Sequence, residues 1–328
     1  MRRPAYLSPS AIDLYCKDKE AYFKRYLADC RQPRDPQTQA MAIGSAFDCY
    51  VKNWISDEVF GKGVREEFNL DRMFEVAVEA PVRDKARTDG LVVFDLYRRS
   101  GALADLMTTL NAASDIRMEF EVKGTVLIQR PGGVTLLGKP DLSFVTKSGR
   151  RMLLDWKVNG AYSSYNTSPM KGYLKCRSGS GVGSQPHKDC IIGVAEGGGI
   201  KYNALHTLEN LNPVWAQQLS VYAWLCGSAV GDELLVCVDQ IVGQLGAQRV
   251  AEHRLMVSGS WQSELALKID EIWEIIHSDH FFRELSVSES QARCQLLEAQ
   301  AVAAFGASEE ENAEWAFLCD SGKTSYRG

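Results

Sequence analysis

Hydrophobic positions along the chain repeat with two different periods, and the switch between them divides it. Ser8 and Pro9 read as a helix cap and first helical residue, after which Ile12, Tyr15, Cys16, Phe23, Tyr26 and Leu27 recur on one face. Residues 32–39 carry two prolines and break that helix. A second helix is predicted over 41–55, with an inward stripe of Gly44, Phe47, Asp48, Val51 and Ile55, and Asp48 is the one charge on it. Helix is again predicted over 91–110, while 60–90 shows no assignable period. After Ser114 the period shortens. Residues 117–129, 134–146 and 151–158 are rich in β-branched and aromatic side chains and are separated by Pro-Gly-Gly and Lys-Ser-Gly-Arg turns, which predicts a three-stranded antiparallel meander. A helix over 213–226, strands near 233–242 and 249–257, and a helical region from Trp261, with Leu265, Ile269, Ile272, Trp273 and Ile276 on one face, complete the pattern.

Such an order predicts an α/β protein with a mixed central sheet flanked by helices. Its parts are an N-terminal helical part over 1–112, a sheet core over 113–258 and a C-terminal helical region and tail over 259–328. Residues 159–212, rich in Gly, Ser and Asn and including Gly197-Gly198-Gly199, are too long for an ordinary loop and read as a functional insertion or flap.

Composition excludes dominant disorder, since 45% of the 328 residues are hydrophobic and 24% charged. No apolar run is long enough for a membrane span and no signal core precedes Asp13, so the expectation is a cytoplasmic protein without a membrane partner. Nine cysteines without paired spacing point to reduced thiols. The net charge of −5 argues against non-specific coating of nucleic acid, but it hides a segregation. From Val122 to Arg177 there are ten basic residues against two acidic, and from Leu205 to Asp320 five against eighteen. One cationic face suited to a polyanion and one acidic flank follow.

The two acids of the basic stretch carry the chemistry. Asp155 and Lys157 lie two apart on a strand and so share a face, and Asp141 is placed on the neighbouring strand. Two carboxylates held together repel by about 4 kcal/mol at ~4 Å and an effective dielectric near 20, which a divalent cation relieves. Hard oxygen donors without clustered His or Cys favour Mg²⁺, or Mn²⁺, over Zn²⁺. Lys157 then serves the attacking water and steadies charge on a phosphate. In the 213–226 helix, Trp215, Gln218, Leu219, Tyr222 and Leu225 form one stripe with Gln218 its one strongly polar member, which either satisfies a backbone group or positions substrate or the strand bearing Lys157. Tyr222 is open between core and site.

Gly138-Lys139-Pro140-Asp141, then Leu153-Leu154-Asp155-Trp156-Lys157, then Gln218-Leu219-Ser220-Val221-Tyr222 together resemble the PD-(D/E)xK nuclease superfamily, in particular its RecB-like and phage-type recombination exonucleases. The resemblance spans about residues 40–260, and the N-terminal Leu-Ser-Pro-Ser helix also fits. It implies a restriction-endonuclease-like fold with N- and C-terminal helical additions, and an Mg²⁺-dependent deoxyribonuclease that acts on DNA in phage or bacterial recombination and repair, beside a single-strand annealing or recombination protein. It also implies catalytic roles for Asp141, Asp155, Lys157, Gln218 and Tyr222, and metal held by Asp141, Asp155 and the main-chain carbonyl of Trp156. RecB-like members commonly carry histidine four residues after a helix glycine, whereas Gly44-Ser-Ala-Phe-Asp48 places an aspartate there. Asp48 is therefore a further candidate ligand. The alternatives are a structure-specific endonuclease and a non-catalytic DNA-binding or scaffold protein that kept the fold.

Other signals are weaker. Some relatives hold an iron–sulfur cluster by one early and three late cysteines; Cys16 matches the first, but the late region offers only Cys294 and Cys319, so no cluster is expected. Cys176, His187 and Cys190 lack a Cys-x-x-Cys pair for zinc, and His277 and His280 read as surface residues. Residues 321–325 imitate the end of a phosphate loop without its first glycine.

Overall fold

In the computed structural model, residues 2–119, 122–126, 132–159, 191–194, 200–202, 207–243 and 249–306 are described. The chain forms two compact units, one of residues 1–35 with 269–328 and one of 36–268.

In the smaller unit, α1 (Pro9–Lys17) starts where the Ser8 hydroxyl accepts the Ala11 N–H, and Asp18, extended at φ −154°, ends it. The single helix expected up to Leu27 is thus interrupted. Asp18 caps α2 (Lys19–Tyr22), which runs into a π-helical turn over Phe23–Leu27. Tyr15, Tyr22 and Phe23 pack their rings against Phe281 at centroid separations of 5.9–6.4 Å.

The larger unit begins with α3 (Gln39–Phe60), capped by the Thr38 hydroxyl, so the predicted helix is longer at both ends. The unassigned 60–90 region holds α4 (Leu70–Ala77), two 3₁₀ turns and the start of α5 (Arg83–Arg99). The helix expected over 91–110 is two helices, because Gly101 adopts φ +87° and α6 (Ala102–Leu110) starts afresh beyond it.

The expected meander is not formed. Its middle run splits at Lys139-Pro140, where the proline has no N–H to give a ladder. β1 (Ser114–Arg117) pairs with β4 (Leu142–Val145), whereas β2 (Val122–Val126) and β3 (Val134–Gly138) form a separate two-stranded sheet. β4 pairs antiparallel with β5 (Arg151–Asn159) from Leu142↔Leu154 to Val145↔Arg151. Asp141 consequently sits in the bend before β4 rather than on a strand.

β6 (Ile191–Val194) and β7 (Ile200–Tyr202) fall inside the segment read as an insertion. Beyond them come α7 (Leu208–Leu211), α8 (Pro213–Leu225), β8 (Leu234–Val242), β9 (Arg249–Val257) and α9 (Gly259–His277). α10 (Val287–Phe305), with a Ser286/Glu289 capping box, belongs to the smaller unit. Among the described residues the main sheet is seven-stranded, ordered β1-β4-β5-β8-β9-β7-β6, with β5/β8 and β7/β9 parallel and the other pairs antiparallel. The chain is therefore α/β, with a mixed sheet flanked by helices.

β5 is central and buried on both sides, which is why Leu153 and Leu154 are adjacent yet both are about 1% exposed. Leu154 and Trp156 face a core built with Phe47 of α3 and Tyr97 of α5, and the Trp156 ring meets Phe47 edge-on at 6.4 Å. Asp155 and Lys157 leave the other face, where Lys157 reaches α8.

Candidate active site

Asp141 is placed by the bend that ends β3. Its Oδ2 accepts the Trp156 N–H at 3.0 Å, so the carboxylate latches onto β5 two residues beyond the last β4 pair. The register that sets Leu142 opposite Leu154 sets Asp141 beside Asp155. Asp155 is 2% exposed, and its Oδ2 lies 2.6 Å from Lys157 Nζ without hydrogen-bond geometry. Burial, reinforced by Asp141, raises the Asp155 carboxyl to about 6 against the opposing pull of Lys157.

The Lys157 ammonium also donates to Gln218 Oε1 at 3.0 Å and lies 5.7 Å from the centre of the Trp215 ring. Gln218 Nε2 donates in turn to the Tyr222 hydroxyl at 2.9 Å. The i, i+4 spacing on α8 makes this relay, and Gly138 makes room for it: a Cβ there would stand 2.6 Å from Tyr222 Cδ1. Burial raises the Tyr222 hydroxyl to about 12, and Asp155 and Asp141 add to the shift, so it remains a neutral phenol. The glutamine thus has a side-chain partner on each side, one of them the lysine.

Asp48 joins the group from α3, with a partner that sequence reasoning missed. Lys52, one turn on and only 4% exposed, lies 2.9 Å from Asp48 Oδ2 and donates to Asp141 Oδ1 at 3.2 Å. Burial alone would lower its pKa, but Asp48 and Asp141 together outweigh that and raise it, so the ammonium is charged. The buried side of α3 is wider than the predicted stripe, and it brings a cation of the chain itself beside Asp48. Its signal was the i, i+4 spacing of Asp48 and Lys52 on one helix. The Asp48 side chain is 32% exposed, yet its Oδ1 is covered and has no hydrogen-bond partner. Burial, then repulsion from Asp141 and Asp155, raises Asp48 to about 7 in spite of Lys52.

All six side chains read from the sequence, Asp48, Asp141, Asp155, Lys157, Gln218 and Tyr222, meet within the larger unit, where the Trp156 N–H, a different group from the carbonyl read as a metal ligand, donates to Asp141. Among the described residues no three His, Cys, Asp or Glu side chains are spaced as a ready metal centre, since Lys52 stands between two of the aspartates. The donor set nonetheless suits a hard divalent cation. Three clustered aspartates, two with raised pKa values, offer covered oxygens of Asp48 and Asp155 that no hydrogen bond satisfies.

The cationic stretch is partly neutralised, because Arg151 pairs with Asp115 and Arg150 lies 4.0 Å from Glu233. Lys171, Lys175 and Arg177 lie outside the described residues, as do Cys176, His187, Cys190, Cys319 and the 321–325 tail. His277 and His280 are partly exposed, and they donate to the carbonyls of Trp273 and Leu285. Among the described residues no helix is long and apolar enough to cross a membrane.

No protein-family model matches the sequence, and no curated protein matches it. Among solved structures, that of the protein SSO0001 aligns over 82% of this chain and 88% of its own, with 12% identity and a TM-score of 0.24. A likeness of that degree bears on neither fold family nor function.

Proposed function

We propose that the chain is a divalent-metal-dependent deoxyribonuclease with the restriction-endonuclease-like core of the PD-(D/E)xK superfamily, acting as an exonuclease in DNA recombination or repair. The observation that carries the reading is the convergence of Asp141, Asp155 and Lys157 with the Gln218–Tyr222 relay of α8, from segments of chain up to 81 positions apart in the sequence. Asp141 and Asp155, with Asp48 beside them, would hold Mg²⁺ or Mn²⁺. Once bound, such an ion lowers the pKa of water and offsets charge developing on the phosphate.

The remaining roles belong to the chain. Lys157 is oriented by Asp155 and Gln218, so its ammonium is directed at one point, where it holds the attacking water and steadies the phosphate charge. Tyr222 fixes Gln218, and the Trp156 N–H fixes Asp141. The rival is a DNA-binding protein that kept the fold without catalysis, and the Lys52 ammonium between Asp48 and Asp141 is the observation in its favour. Digestion of end-labelled linear against closed circular DNA in Mg²⁺ separates these readings. An exonuclease releases label from the linear form alone, an endonuclease opens both, and binding of DNA without cleavage of either leaves the rival.

A further inference from the structure

Lys52 has no part in the reaction as read above, yet it is the most buried cation beside the site. Its ammonium bridges Asp48 Oδ2 and Asp141 Oδ1 at 2.9 and 3.2 Å, the position between two carboxylates that a second divalent ion would take in a two-metal site. We propose that Lys52 is a built-in cation that replaces one of two metal ions, so that the site takes a single divalent ion on the Asp155 side. This inference rests on the reading of the aspartates as a metal site.

Three observations carry it. The first is commitment of donors: Asp141 gives one oxygen to the Trp156 N–H and the other to Lys52, and Asp48 gives Oδ2 to Lys52. The covered carboxylate oxygens outside any hydrogen bond are Asp48 Oδ1 and Asp155 Oδ2, and the latter is ion-paired to Lys157 at 2.6 Å. The Asp48–Asp141 side is thus already filled by an ammonium, and the Asp155 side is what remains for an ion. The second is charge, because three aspartates against Lys52 and Lys157 leave a net charge of −1. One divalent ion turns this to +1, whereas a second would raise it to +3 with an ammonium in contact. The third is anchoring: Lys52 is 4% exposed on the middle of the 22-residue helix α3, flanked by buried Val51 and Ile55, and has no exposed position to retreat to without unpacking that helix. A surface lysine would be displaced by a metal ion, and this one is packed in place.

Counting bound Mn²⁺ tests the inference without reference to cleavage. Equilibrium titration of the full chain, read by the electron paramagnetic resonance signal of free Mn²⁺, should give one ion per chain. The Lys52→Gln variant, which keeps a donor but loses the charge, should bind two. Lys52→Arg, which keeps the charge, should bind one. Two ions in the parent protein, or equal counts in the parent and Lys52→Gln, would overturn the proposal, and the parent count stands as a test even where a variant fails to fold. Failure of the nuclease reading looks different: one ion bound to a protein that cuts no DNA refutes that reading and supports the count. Absence of Mn²⁺ binding by parent and variants refutes both.

Discussion

Asp155→Asn should make the metal-free protein more stable at neutral pH while ending its activity. In the folded chain the Asp155 carboxyl is raised to about 6 because it is 2% exposed and faces Asp141, whereas in the unfolded chain it titrates near its ordinary 3.8. A group with a raised folded pKa favours folding below the unfolded value and loses that contribution as pH climbs through the folded value. From about pH 4 to pH 7 the parent protein therefore gives up on the order of 2–3 kcal/mol at this one residue, since each tenfold difference in proton affinity between the two states is worth about 1.4 kcal/mol. Asparagine imitates the protonated form and gives up nothing. Urea unfolding in EDTA should show the variant more stable than the parent at pH 7 by about that amount and equal to it at pH 4. In the presence of Mg²⁺ the order should narrow or invert, because only the parent gains from binding. A variant with no advantage at pH 7, or with the same offset at both pH values, would show that the buried carboxylate is not held under strain. Retention of parental Mg²⁺-dependent cleavage by the folded variant would refute its role in the site.

Gln218→Leu should lower cleavage by about 10–100-fold with DNA affinity in Ca²⁺ unchanged, since it removes the partner that orients Lys157 and touches no phosphate-binding charge; equal losses in affinity and rate would count against a positioning role. Gly138→Ala should cost about 1–3 kcal/mol by urea unfolding, because the added Cβ would meet Tyr222 Cδ1 at 2.6 Å and Leu225 Cδ1 at 2.8 Å, and a neutral result would mean α8 is free to shift. Burial lowers His253, which shares a hydrogen bond with Gln240, to about 3. The unfolded chain then binds a proton that the folded chain refuses, and stability should fall by about 2 kcal/mol between pH 7 and pH 5 on this account. His253→Gln should flatten that slope, and an unaltered slope would place the acid sensitivity elsewhere.

Much of the site was legible because its residues lie at short, periodic spacings. Asp155 and Lys157 are two apart on a strand, and Gln218 and Tyr222 are four apart on a helix, so each pair declares a shared face before any tertiary contact is known. Lys52 obeys the same arithmetic with Asp48 but is a residue type that composition places outside, and nothing local announces that a carboxylate from position 141 will meet it. The sheet was less legible for a related reason. The 134–146 run has strand character throughout, and the single missing N–H of Pro140 separates β3 from β4. The parallel pairings of β5 with β8 and of β7 with β9 join segments about 50 or more residues apart, and the local pattern that marks a strand carries no record of its partner. The break between α5 and α6 had a visible cause in Gly101, but a glycine within an apolar period reads equally as a tolerated helix residue.

The latch between Asp141 and the Trp156 N–H has a consequence for how the protein is dissected. Among the described residues no strand pairs with β5 on the β4 side beyond Leu154, so the sheet forks there and the carboxylate supplies a rung that the backbone of β4 does not reach. One side chain thus serves the fork as well as the proposed site, and deleting it removes its part in both. Asp141→Ala would remove both functions together, and its inactivity would say nothing about which was needed. Asp141→Asn keeps its amide oxygen for the Trp156 N–H and loses the charge and the acceptor that met Lys52. The exchange rate of the Trp156 amide proton reports the state of the fork in each variant, independently of any reaction.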